Sequence, residues 1–259
     1  MTSLKIMSAL VTSNDMIAQD IYKLCLFCKD GFKDAKCGGF VNLYTDDKSL
    51  LLPRPISICE SENDSLTLVF KVVGKGTDLF SRLKTGEKVK VSSPLGNGFD
   101  TSFLKKGDTA LLAGGGVGIP PMLNLAKKFR REGINSIAVL GFRDEPFLIE
   151  EFKKAGADVH ICTDTGSCGF KGNVVELLKK ENIVSDGAFA CGPKIMLKFF
   201  TEYTREHNIP TLISMEERMG CGFGACVGCA IDLKMSDGTV IRKKVCKDGP
   251  VFKASEVIF

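Results

Sequence analysis

The chain has 259 residues, with 35 Lys and Arg against 31 Asp and Glu and a formal net charge of +4. The charges are interleaved rather than gathered in a stripe, so no nucleic acid is expected as a partner. No apolar run reaches the roughly 18 residues that a membrane span needs, so none is expected. Eleven cysteines are an odd number, and Met1-Thr2-Ser3-Leu4-Lys5 lacks the cationic lead and apolar core of a secretory signal. Together these exclude a secreted disulfide framework and imply a cytoplasmic protein whose thiols bind metal or cofactor or are simply buried.

Short β-type runs separated by polar turns fill the first part of the chain: Lys5–Val11, Asp20–Phe27, Gly39–Tyr44, Ser65–Val73 and Lys88–Val91. Their spacing implies an antiparallel barrel or sandwich, interrupted by one helical pattern at Thr77–Leu83. Cys25 and Cys28 resemble a CxxC pair, but residues three apart on a strand point to opposite faces, so they read as separate thiols. The turn-rich Ser93-Pro94-Leu95-Gly96-Asn97-Gly98 ends this region, which gives a first domain of residues 1–98.

Beyond Gly107 strands and helices alternate. Strands are expected at Thr109–Ala113, Ile137–Leu140, Asp158–Cys162, Gly187–Ala190 and Thr211–Met215. Helices are expected at Pro120–Arg131, Phe147–Ala155, Val174–Lys180 and Pro193–His207. Continuous apolar strands joined by helices predict a doubly wound parallel sheet over residues 99–215. In the last helix, Ile195 with Phe199 and Met196 with Phe200 predict one apolar face. Residues 216–259 carry too little apolar content for a core of their own and need a metal or similar staple.

That tail holds the strongest chemical signal. Cys221-x4-Cys226-x2-Cys229 is followed after sixteen residues by Cys246, the ligand order of plant-type [2Fe-2S] proteins. Glycines at 222, 224 and 228 let backbone N–H groups approach the sulfurs. A structural zinc site, and with it a zinc-stapled interaction module, is the alternative. Zinc ligands usually come as two short C-x2-4-C knuckles, however, and Cys246 has no companion.

Two further motifs suit phosphate and ring binding. In Arg54-Pro55-Ile56-Ser57, Pro55 biases Arg54 to an extended conformation, so a guanidinium fork reaches a diphosphate while the Ser57 backbone and hydroxyl face a flat ring. Gly76-Thr77 opens a helix whose N–H groups suit phosphate. The run Gly114-Gly115-Gly116-Val117-Gly118-Ile119-Pro120-Pro121 joins a strand to a helix and permits close backbone approach to a pyrophosphate, although it is not the GxGxxG fingerprint. Cys191-Gly192-Pro193 repeats a strand-end turn at the carboxyl edge of the sheet, where ligands sit in open α/β domains.

Taken in order, these motifs with Glu216-Glu217-Arg218-Met219-Gly220-Cys221 resemble the ferredoxin reductase superfamily over nearly the whole chain. Within it the chain is most similar to electron-transfer subunits of NAD-linked (class 1B) dihydroorotate dehydrogenases. The resemblance implies an FAD barrel, an NAD domain and a [2Fe-2S] lobe. It implies FAD contacts from Arg54, Pro55, Ile56 and Ser57, from Lys71, Val72 and Val73, and from Gly76 and Thr77. It implies that Gly114, Gly115, Gly116 and Gly118 cradle the dinucleotide, with Cys191 and Gly192 near the nicotinamide, and that Cys221, Cys226, Cys229 and Cys246 ligate the cluster. The implied partner is an FMN-containing catalytic barrel that oxidises dihydroorotate in pyrimidine (UMP) biosynthesis, assembled as two of each subunit.

The chain departs from the superfamily pattern at Ile56, where many members have an aromatic residue, and at Cys37-Gly38-Gly39-Phe40, where many have Pro-Gly-Gln-Phe. Arg143 beside Asp144 and Glu145 leaves the choice between NAD and NADP open. Rival readings within the superfamily are an NAD(P)H-dependent ferredoxin oxidoreductase, a sulfide dehydrogenase subunit or an oxygenase reductase.

Overall fold

Alternating apolar and polar residues in the N-terminal region close a sheet on itself. The computed structural model describes residues 4–259. Six strands, β1 (Ile6–Ala18), β2 (Ile21–Phe27), β3 (Phe40–Tyr44), β4 (Arg54–Ser61), β5 (Ser65–Lys71) and β6 (Lys88–Ser92), form an antiparallel barrel. It closes in the order β1-β2-β5-β4-β3-β6. Val11, Leu24, Leu26, Leu43, Ile58 and Leu68 fill its interior.

Three local outcomes differ from the sequence expectation. Strand β1 continues past Val11 to Ala18, because register shifts absorb the polar Thr12-Ser13-Asn14-Asp15 tract. Asn14 Nδ2 is put to use there, donating to the carbonyls of Phe80, Ser81 and Leu83 at 2.9, 3.1 and 2.9 Å. Helix α1 spans Lys75–Ser81 rather than Thr77–Leu83. Thr77 is its third residue, and its hydroxyl turns back to accept from the amides of Val73 and Gly74 at 3.0 and 3.2 Å.

The third difference is β4 itself, a strand that Pro55 conceals. Arg54–Ser57 pairs with β3, whereas pairing with β5 begins only at Ile58. Pro55 stands opposite Asn42, whose own amide turns away to Ser92 Oγ at 2.9 Å. The proline nitrogen therefore faces an unpaired edge, where a missing N–H breaks no ladder bond.

The second unit is a sheet around β7 (Thr109–Gly115), β8 (Asn135–Phe142), β9 (Asp158–Thr163), β10 (Phe170–Lys171), β11 (Gly187–Cys191) and β12 (Thr211–Ser214). These strands are parallel and lie in the order β10-β9-β8-β7-β11-β12. Helices α2 (Ile119–Glu132) and α3 (Ile149–Lys154) pack on one face, and α4 (Val174–Glu181) and α5 (Lys194–Glu206) on the other. Leu111, Leu112 and Ala113 are fully buried between the layers, as a doubly wound fold requires. The strand order reverses between β7 and β11, which is where such sheets open a crevice. Among the described residues no helix is long and apolar enough to cross a membrane.

The expected apolar face of α5 is divided. Phe200 is fully buried, whereas Ile195 and Phe199 are 61% and 48% exposed. The tail forms a hairpin, β13 (Ala230–Lys234) with β14 (Val240–Lys244), a turn of helix α6 (Val245–Asp248), and β15 (Val251–Lys253). Strand β15 adds to the central sheet antiparallel to β12. Asn97 brackets it, donating from Nδ2 to the Val251 carbonyl at 2.7 Å and accepting the Val251 amide at 3.0 Å. Cys229, Ile231, Leu233, Val245 and Cys246 share one core with Phe200 and Phe252.

Candidate redox site

The four tail cysteines come together. Cys221 and Cys226 lie in an irregular loop, Cys229 directly precedes β13 and Cys246 lies in α6. The Cys229 and Cys246 sulfurs are 3.2 Å apart. The Cys226 amide donates to Cys221 Sγ at 3.4 Å and the Cys246 amide to Cys229 Sγ at 3.5 Å. Burial pushes the Cys221 thiol up, but the amides of Cys226, Phe223 and Ala225 outweigh it and bring the group down to about 6. Cys246 is pushed up to about 12 by burial and by Cys229 beside it. Lys244 Nζ donates to the Gly224 carbonyl at 2.8 Å and pins the loop from the hairpin side.

This donor set fits a binuclear cluster. The thiols stand as two neighbouring pairs, Cys221 with Cys226 and Cys229 with Cys246, and amides point at sulfur. A tetrahedral zinc quartet would draw all four sulfurs to one point.

On the barrel, Arg54 lies against the bare Cα of Gly76, where an added Cβ would sit 2.2 Å from Arg54 Nε. The Arg54 guanidinium also donates to the Leu52 carbonyl. Ile56 and Val72 pack on the barrel core. Lys71 ends β5, the Val72 amide donates to the Asp20 carbonyl at 2.8 Å, and Val73 is 79% exposed. Arg54, Pro55, Ser57, Gly76 and Thr77 therefore surround the notch where β4 and β5 part.

The glycine turn sits at the switch point. Gly114 and Gly115 end β7, and Gly116–Gly118 makes a short 3-10 turn into α2. Gly118 meets the other strand end, since a Cβ there would lie 2.2 Å from the Cys191 carbonyl oxygen. One cleft of about 650 Å³ is lined by Gly115, Gly116, Arg143, Met196, Ile195 and Phe199. Another, of about 920 Å³, brings Lys71 and Asp20 of the barrel to Gly116, Val117, Phe142 and Arg143 of the sheet. The end of β5 and the glycine turn thus face the same space. The Cys191 thiol lines neither cleft; it is buried, which pushes its pKa well up and removes it as a nucleophile. Gly192 holds the turn just behind Gly115.

With this geometry in place, the chain is 41% identical over 265 residues to the dihydroorotate dehydrogenase B (NAD(+)), electron transfer subunit, of Fusobacterium nucleatum, covering 98% of this chain and 99% of that one. The chain belongs to this family. The corresponding subunit of Bacillus caldolyticus is 39% identical, with 96% of each chain covered. A family model described as the iron-sulfur cluster binding domain of dihydroorotate dehydrogenase B matches residues 216–258, the segment that holds all four thiols. Among solved structures, an NADH-dependent reduced ferredoxin-NADP oxidoreductase superposes with a TM-score of 0.84 at 31% identity, over 96% of this chain and 89% of that one. A flavohemoglobin from Malassezia yamatoensis, at 19% identity and a TM-score of 0.69 over 79% of this chain and 57% of that one, shares the fold alone.

Sequence reasoning passed over several residues that border the barrel–sheet cleft or the cysteine loop. Asn42 touches the cluster loop, and its signal was a polar side chain inside the apolar run Phe40-Val41-Asn42-Leu43. Gln19 donates its amide to Glu145 at 2.8 Å and ties barrel to sheet; nothing local in the sequence announces it. Asp144 accepts from the Thr165 hydroxyl at 2.7 Å, and the hydroxyls of Thr165 and Ser167 hold its carboxyl below the usual range.

Proposed function

We propose that this chain passes electrons from a partner dihydroorotate dehydrogenase catalytic subunit to NAD+ within pyrimidine (UMP) biosynthesis. The partner would carry FMN and assemble with it as two of each subunit, in the cytoplasm. We divide the chain into an FAD-binding barrel (1–98), an NAD-binding domain (99–215) and a [2Fe-2S] lobe (216–259). The observation that carries the reading is the placement of the parts. The β5 end and the glycine turn open on one cleft, while the loop that carries Cys221 touches Asn42 on the outward side of β3, the neighbour of β4.

When bound, FAD exchanges single electrons with an iron–sulfur cluster and a hydride with nicotinamide, which no side chain here can do. The protein supplies placement and charge. Arg54 presents a guanidinium fork to the FAD diphosphate, and bare Gly76 lets it lie flat against α1. Pro55 and Ser57 on the free edge of β4, with Ile56 behind them, present the backbone to the ring; Lys71, Val72 and Val73 close its other side, and Thr77 fixes the start of α1. Gly114 and Gly115 end β7 with no side chain to block the approach, and Gly116 and Gly118 in the turn would present backbone amides to the dinucleotide phosphates at the switch point. Gly192 and the buried Cys191 shape the wall next to the nicotinamide. Asp144, held ionised by Thr165 and Ser167, disfavours a 2′-phosphate, so we assign NAD rather than NADP. Cys221, Cys226, Cys229 and Cys246 hold the cluster, and the exposed Phe223 and Val227 in its loop offer the partner an apolar contact.

The test is anaerobic purification with iron, inorganic sulfide and flavin quantified, followed by mixing with the catalytic subunit. NADH formed from dihydroorotate only when both chains are present is the expected result. A colourless protein holding one zinc would overturn it. Efficient reduction of free ferredoxin by the lone chain would instead favour the ferredoxin oxidoreductase reading, which the likeness to the NADH-dependent reduced ferredoxin-NADP oxidoreductase keeps in play.

A further inference from the structure

Asn42 is fully buried, yet it belongs to no apolar core. On β3 its neighbours Val41 and Leu43 point into the barrel; by the period of a strand Asn42 points the other way, onto the cluster loop. There its Nδ2 donates to the Cys221 carbonyl at 3.3 Å. The contact is flush, since a Cβ on Gly222 would lie 2.4 Å from both Nδ2 and Oδ1 of Asn42. Its Oδ1 is buried with no hydrogen-bond partner. Along the sheet Asn42 stands opposite Pro55, and Ser92 Oγ holds its main-chain amide. One residue therefore touches the first cluster cysteine and is registered against the flavin motif.

We propose that Asn42 is a positioning residue for electron exchange: it fixes Cys221 relative to the strand segment Arg54–Ser57. The inference rests on the proposed assignment of that segment to flavin and of the four thiols to a cluster. A buried amide with an empty acceptor is disfavoured as mere packing, and it gains a purpose where its donor holds something in place. The Cys221 carbonyl belongs to a loop with no strand or helix to order it. Electron exchange between two centres falls steeply with their separation, so a loop free to shift would be slow even with both groups bound.

Two variants of the full chain test this. Asn42→Leu removes the donor while keeping the volume, and Asn42→Asp removes it while keeping the shape. Iron, sulfide and flavin are counted first. An unmodified chain lacking both iron and flavin removes the site assignment and the proposal together. With contents unchanged, NADH should bleach the flavin at the unmodified rate. Bleaching of the cluster absorbance should then be roughly tenfold slower, as expected for a small misplacement of a reacting centre. The low-temperature EPR resonances of the reduced cluster should also shift or broaden, which a change in global stability would not produce. Loss of iron with flavin retained supports the proposal as well, because Cys221 is then no longer presented. If Asn42→Leu fails to fold, Asn42→Asp decides alone. Unmodified transfer rates and resonances in the variants that fold overturn the proposal.

Discussion

The central sheet and the cluster lobe are neighbours held by different physics. In the sheet, Leu111, Leu112 and Ala113 are covered on both faces, and each strand is laddered to its neighbours. In the lobe, the loop from Gly220 to Gly228 has neither strand nor helix. What holds it are isolated contacts: Lys244 to Gly224, Asn42 to Cys221, and amides on sulfur. The lobe also leans on the sheet, since Val245 and Cys246 share a core with Phe200 and β15 completes the sheet edge. Dependence should therefore run one way. The sheet survives without the cluster, but the cluster lobe does not survive without the sheet.

The largest effect comes from the ligands. Cys229→Ser removes a buried thiol that stands 3.2 Å from Cys246, and iron content should fall to background while FAD stays bound. Hydrogen exchange should rise through residues 216–229 and stay unchanged in β7 and β11. Loss of protection across the sheet would break the asymmetry. The converse variant, Phe200→Ala, opens a cavity in the shared core and should cost about 3–5 kcal/mol, read from chemical denaturation. Iron should be lost in the same transition as the sheet; a separate, later loss of iron would show the lobe standing alone.

How far this division could be read in advance depended on the range of the interactions. The cluster was legible because its ligand spacing is covalent, and the parallel sheet because strands buried on both faces write continuous apolar runs. Strand β4 was hidden by Pro55, which is acceptable only because β5 diverges there, a fact about another strand. The polar Thr12–Asp15 tract looked like a turn because Asn14's three carbonyl partners lie more than sixty residues away in sequence. The apolar face assigned to α5 was real as a pattern, but Ile195 and Phe199 line a cleft instead of a core. Asn42 showed only as a polar side chain in an apolar run, and its meaning stayed out of reach for the same reason: that meaning lies in a loop far along the chain.

A smaller effect is expected at the flavin notch, which separates site chemistry from both supports. Arg54→Ala leaves each core intact and should weaken FAD binding roughly 10- to 100-fold, the value of one charge-assisted contact. Fluorescence titration of the flavin-free protein reads it. Unchanged affinity would move the diphosphate elsewhere.

The smallest perturbation tests the loop alone. In protein stripped of iron, the amides of Cys226, Phe223 and Ala225 favour the Cys221 thiolate and bring its pKa to about 6, whereas Cys246 lies near 12 and burial drives Cys59 and Cys191 upward. The thiolate is the nucleophile, so the alkylation rate at Cys221 should climb as pH rises through about 6 and level off near neutrality. Cys246 should stay unreactive over the same range. Peptide mapping after brief iodoacetamide treatment at several pH values reads this site by site. A Cys221 midpoint near that of a free thiol would mean that the amides reach the sulfur only once iron is bound. The loop would then owe even its local geometry to the cluster, and the contrast with the sheet would be sharper than the structure draws it.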